Sequence, residues 1–165
     1  MGEAPVTIRS AIPEDSDGIT RVYMESAEYH AGLDPERYWL PTAETTEARY
    51  REGQWHSQDA GQQSVTLVAE LSGEIVGFVD AQLHQSPDPM HREITYCHIV
   101  EIAVSTRHQN QSIGERLLSA AEEWGRQQGA ELASLEFLAV NTRAATFYQR
   151  RMGYRPASIT AIKRL

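Results

Sequence analysis

The stretch IVEIAVSTRHQNQSIGERLL, residues 99–118, runs from β-branched residues through a polar turn into a helix. The segment IVEIAV fits a pleated, largely covered strand. From Ser112 the apolar positions Ile113, Leu117, Ala120, Ala121 and Trp124 recur at helical spacing, and Gly129 is a natural stop. A helix start leaves about four backbone N–H groups without intrahelical partners and carries about half a positive charge. The turn before it can therefore hold an anion. The same atoms admit a second reading, because Ser112 and Glu115 have the spacing of a capping box whose side chains satisfy those donors internally. On the residues alone both readings stay open.

Working outward, SVTLVAEL at 64–71, Ser72-Gly73 and EIVGFVDAQL at 74–83 predict a hairpin. Pro87-Asp88-Pro89 breaks the run, and EITYCHIVEIAV at 93–104 resumes it as a third antiparallel strand. Towards the start, VTIR at 6–9 alternates as a short strand. Pro13-Glu14-Asp15 then opens a helix reaching about His30, with proline in the first turn beside acidic residues. Beyond Gly129 the sequence predicts a strand at 132–140 (LASLEFLAV), a helix at 141–152 (NTRAATFYQRRM) ended by Gly153, and a closing strand at 158–165 (SITAIKRL). Leu33 to Gly61 is polar and irregular and reads as an insertion. This order predicts an α/β (α+β) fold in a single domain over 1–165, with a central mixed, mostly antiparallel sheet flanked by helices on both faces.

Composition narrows the functional classes. The 41% hydrophobic and 23% charged residues are those of an ordinary globular chain, and no apolar run approaches the ~20 residues that span a bilayer. MGEAPVTIRS lacks the basic start and apolar stretch of an export signal, so a cytoplasmic protein without membrane partners is expected. A formal charge of −8 argues against nucleic acid and leans towards a cationic partner. The lone Cys97 forms no internal disulfide, and the six histidines, His84, His91 and His98 among them, lack the spacing of a metal site. No metal is expected.

The 99–118 stretch resembles the acetyl-CoA motif of the GNAT superfamily of N-acetyltransferases, a strand followed by Gln/Arg-x-x-Gly-x-Gly/Ala and a helix. Gln109, Ser112 and Gly114 occupy the specified positions, with Ser112 in place of the usual glycine and Asn110 where glycine is also frequent. Asn tolerates a left-handed backbone better than most residues, while Ser adds a Cβ near the expected diphosphate. A second segment, NTRAATFYQRRMGY, is similar to the superfamily's Asn-x-x-Ala-x-x-Phe-Tyr-x-x-x-Gly-Phe/Tyr pattern through Asn141, Ala144, Phe147, Tyr148, Gly153 and Tyr154. TIRSAIPEDSDGI looks like its opening strand and helix. Only Leu33 to Gly61 lacks a counterpart.

The resemblance implies that acetyl-CoA is the acyl donor, as a cosubstrate. Its pantetheine would lie between the strands at 99–104 and 132–140, along Ile102, Ala103 and Val104. Its diphosphate would lie over Gln109, Asn110, Gln111, Ser112, Ile113, Gly114 and Glu115, with Asn141, Ala144, Phe147 and Tyr148 on the far side. Tyr148 stands at the superfamily's general-acid position. For the base, the residues themselves point to Glu101, the only charge in IVEIAV, because a carboxylate among apolar neighbours needs a partner or a cleft. A structural ion pair with a nearby arginine or lysine is the alternative role, and Glu93 and Glu136 are secondary candidates. Tyr29, His30, Tyr38 and Trp39 gather near the end of the first helix, where aromatic faces attract a cation, and are read as lining the acceptor site. Cys97 reads as packed.

The resulting expectation is an N-acetyltransferase acting by direct attack of a primary amine of a small molecule, peptide or protein. The competing reading is a non-catalytic acyl-CoA-binding or interaction module on the same fold. A homodimer using SITAIKRL as an edge or exchanged strand is compatible with the sequence.

Overall fold

Ser72 and Gly73 both take left-handed backbone, with φ of 52° and 83°, the local twist that a two-residue hairpin requires. They fold Ser64–Leu71 (β2) back onto Glu74–Gln85 (β3). The computed structural model describes residues 5–51, 63–85 and 88–164. Thr7–Ser10 (β1) pairs antiparallel with β2, and β3 pairs antiparallel with Thr95–Val104 (β4). Leu132–Leu135 (β5) joins β4 in parallel. The five strands therefore follow chain order across one mixed sheet, as the sequence predicts.

Strand alternation sends two apolar sets to opposite faces. On one face Val79, Ala81, Cys97 and Ile99 pack under Ile113, Leu117, Leu118 and Ala121 of Ile113–Gln127, helix α3 in chain order. On the other, Val68, Phe78 and Ala103 meet Ile19 and Val22 of Ser16–Leu33 (α1) and Tyr50 of Ala43–Arg51 (α2). Each such fully buried aliphatic or aromatic side chain contributes roughly 1.5–3 kcal/mol. The α3 contact is close: a Cβ on Gly125 would stand 2.4 Å from Cys97 Cβ.

Arg9 ties the entry of the chain together. Its guanidinium donates to both carboxylate oxygens of the buried Asp15 at 2.7 and 2.8 Å and to Glu70 at 2.7 Å, and it holds the Asp15 carboxyl below the usual carboxylate range. Asp15 closes the short 3-10 turn Pro13–Asp15 that leads into α1.

Four expectations need correction. The stretch from Leu33 to Gly61 contains α2, which the sequence reading left irregular; residues 52–61 lie outside the described residues, as does Pro87. The helix forms because Thr46 and Tyr50, one turn apart, find a tertiary surface. Tyr50 meets Phe78 and Tyr23 edge-on at 5.8 and 6.0 Å. The fifth strand, predicted to reach Val140, stops at Leu135 because it leaves β4 there. The predicted helix at 141–152 splits into Thr142–Ala145 (α4) and a wider π-helical turn, Thr146–Arg151. The predicted closing strand is not one: residues 158–164 carry no strand pairing, and Ile159 and Ile162 are 94% and 69% exposed. With no sheet edge of this chain alongside, an alternating pattern has nothing to bury against.

Candidate active site

The site begins where β4 and β5 part. Their last pair is Ile99 with Leu135, yet β4 runs on to Val104. Immediately past Ile99 the pairing of β4 with β3 shifts register between Asp80 and Ala81, leaving Val100 as the extra residue of a bulge. A bulge bends its strand and sharpens its twist, so the two strands diverge at that point. Beyond it the Ser105 N–H donates to Val76 O at 2.9 Å. By antiparallel alternation Ala103 also turns its backbone to β3, whereas Ile102 and Val104 turn theirs into the opening. The Gln109 amide, which donates to Val104 O at 3.4 Å, reaches the latter carbonyl from that side. The side chain of Ala103 packs into the α1-side core.

At the end of this opened edge lies the turn of residues 109–112. Asn110 and Ser112 both adopt left-handed backbone, at φ of 63° and 57°, a conformation costing non-glycine residues about 1–3 kcal/mol. This geometry bears on the capping reading of the helix start. A capping serine needs extended backbone; Ser112, at ψ of 14°, makes no capping hydrogen bond, and Glu115 pairs with Arg151 at 3.0 Å. The capping box is therefore not formed, and the first-turn amides of α3 have no side-chain cap. Ile113 buries its side chain beneath them. Gly114 is not demanded by the protein's own packing, since a Cβ there would meet Phe147 Cζ at an ordinary 3.5 Å. Arg143 of α4 crosses over the turn and donates to Gln109 Oε1 at 2.7 Å. The sequence reading missed this cation, although its place two residues after Asn141 is a usable signal.

Glu101 sits on β4 facing α1, where the Ser26 hydroxyl donates to its Oε1 at 3.4 Å. Burial, with the nearby Asp80 charge adding to it, pushes its carboxyl up to about 7. The alternative role as a structural ion pair finds no ion pair on Glu101 among the described residues, although the Arg49 charge bears on it. Glu93 and Glu136 are both exposed, Glu93 before β4 and Glu136 past β5.

Across the opening, Tyr148 stands in the π-helical turn, packed against Phe137, Phe147 and Tyr154 with ring centroids at 5.5, 5.1 and 6.1 Å. Burial first, then the Glu101 charge, raise its phenol to about 12, so it stays protonated at neutral pH. Asn141 caps α4 as expected, its Oδ1 accepting from Ala144 N–H at 3.0 Å. Tyr29 donates to the same oxygen at 3.4 Å. Of the four proposed acceptor-lining residues, Tyr29, His30 and Tyr38 do cluster, with centroids 6.0 and 5.7 Å apart. Trp39 stands off at 89% exposed.

One side of α1 reaches three parts of this site. Glu25 accepts from the Thr106 N–H at 2.7 Å and the Ser105 hydroxyl at 3.2 Å, Ser26 meets Glu101, and Tyr29 meets Asn141. None of Glu25, Ser26 or Asp80 was singled out from the sequence.

Comparison with known proteins agrees with this geometry. The sequence model of the acetyltransferase (GNAT) family matches residues 24–154. An uncharacterized N-acetyltransferase of Archaeoglobus fulgidus is 28% identical over 151 residues, covering 92% of this chain and 95% of its own. In fold, a variant of the BH1408 protein of Bacillus halodurans superposes with a TM-score of 0.84 at 20% identity, covering 96% and 99% of the two chains. The aminoglycoside N-acetyltransferase AAC(6')-Iy, solved with CoA, superposes with a TM-score of 0.70 at 16% identity, covering 100% and 97%.

Proposed function

Because the chain belongs to the acetyltransferase (GNAT) family, we propose that it moves an acetyl group from acetyl-CoA to a primary amine of a small molecule, peptide or protein by direct attack. The observation that carries this reading is the free β4 edge at Ile102 and Val104 running into an uncapped, left-handed turn at a helix start. Those backbone groups suit a strand-like amide chain such as pantetheine, and the amides of the turn with Arg143 suit a diphosphate. Acetyl-CoA would supply the activated acyl group as a thioester. Glu101 would accept the proton that an alkylammonium, with a pKa near ~10, must lose before it can attack. Tyr148 keeps a proton available for the departing sulfur. The aminoglycoside acetyltransferase among the structural relatives supports a small-molecule amine as acceptor.

Calorimetry with acetyl-CoA, followed by release of CoA across a panel of amines, tests the reading. Saturable binding and turnover on at least one amine are expected. Tyr148→Phe should lower kcat by about a hundredfold while leaving acetyl-CoA affinity in place. Absence of binding at high micromolar acetyl-CoA overturns the proposal, and binding without turnover on any amine turns it towards an acyl-CoA sensor.

A further inference from the structure

Asp80 on β3 stands directly opposite Glu101 on β4, and opposed residues of neighbouring strands project from the same face. Asp80 is 1% exposed, with the hydroxyl of Thr66, its opposite on β2, donating to its Oδ1 at 2.6 Å. Two carboxylates therefore share one cross-strand position beneath α1 and α2. Among the described residues, the groups brought against them include Tyr23 and Ser26 from α1, Arg49 and Tyr50 from α2, Thr66 from β2 and Tyr148 from the π-helical turn. Asp80 is too deep to touch an acceptor, so it has no part in the reaction as described above. Its proximity matters instead, because like charges held together in a poorly solvated place resist simultaneous ionisation.

We propose that Asp80 is a positioning residue for acetyl transfer, whose buried carboxylate holds Glu101 as the acceptor of the amine's proton. The inference rests on the acetyl-transfer reading of the site. In the step it serves, the N–H bond of the acceptor ammonium breaks with its electron pair left on nitrogen, and the proton moves to a carboxylate oxygen of Glu101. Protonation removes the negative charge of Glu101, which relieves its repulsion by the Asp80 charge beside it. A lone glutamate at the ordinary 4.5 holds such a proton more weakly, so the gap to the amine that the transfer must cross is wider. The Glu101 carboxyl, raised to about 7 by burial and then by Asp80, agrees with this arrangement.

The test is a carboxyl ¹³C NMR titration of the full chain, free of ligands, beside the pH profile of kcat/KM. In the wild-type protein the Asp80 carboxyl signal should inflect at the pH where Glu101 titrates, and an Asp80 signal with no such inflection overturns the proposal. Asp80→Asn should lower the Glu101 midpoint by about one pH unit, and the acid limb of kcat/KM with it. A folded Asp80→Asn protein with an unmoved midpoint also overturns it. If that variant does not fold, Glu101→Gln gives the reciprocal reading, because the inflection of the Asp80 signal in the pH range of Glu101 should disappear, and an inflection that stays overturns the proposal. Failure to bind acetyl-CoA would instead sink the acetyl-transfer reading, and the NMR coupling would show which of the two had failed.

Discussion

Glu101 gives the fold a stability that depends on pH in the opposite sense to most carboxylates. Its carboxyl rises from an ordinary 4.5 to about 7 in the folded chain. Between those values the native state holds a proton that the unfolded chain has released, so this contribution is complete below the ordinary value and is lost as pH rises through about 7. Glu101→Gln should consequently be more stable than the parent by up to about 3 kcal/mol at about pH 8, with the gain gone near pH 4. Urea unfolding at the two pH values checks it, and an equal difference at both would refute it. Glu101 was legible from sequence because a single charge interrupts an apolar strand. Asp80 was not, because its opposition to Glu101 depends on the bulge at Val100, and a register cannot be read from one strand alone. The left-handed Asn110 was anticipated from its side chain, whereas the same backbone at Ser112 was visible only as a departure from glycine.

Among the elements, the hairpin and α3 were plain in the sequence, since a two-residue turn and a strong helical period are local signals. The failures were non-local. Helix α2 depends on Phe78 and Tyr23 for its partners, β5 ends where its neighbour bends away, and residues 158–164 pair with no strand among the described residues. The union of α3 with β4 makes a sharper prediction. Gly125→Ala places a methyl 2.4 Å from Cys97 Cβ and 2.6 Å from its Sγ, so it should destabilise the fold by roughly 1–3 kcal/mol. Cys97→Ala should rescue little of that loss, because the Cβ contact persists. An unchanged urea midpoint for Gly125→Ala would mean that the helix does not press on the strand there.

For the molecule as a whole, the net charge of −8 acts on the two proposed substrates in opposite ways. It attracts a cationic amine and repels the anionic acyl donor, and salt screens both effects. Raising ionic strength from about 0.05 to 0.5 M should increase KM for a cationic amine by roughly threefold while KM for acetyl-CoA stays level or falls. Parallel changes in the two constants would show that overall charge does not steer binding. Helix α1 carries a different whole-molecule consequence. With Glu25 fastened to Ser105 and Thr106, Ser26 to Glu101 and Tyr29 to the cap of α4, it works as a tie rod across the mouth. Under the proposed acetyl transfer, an acceptor that levered this rod outward would slacken the donor's berth at the same moment, and bulkier amines would find room beyond Leu33, where the rod ends.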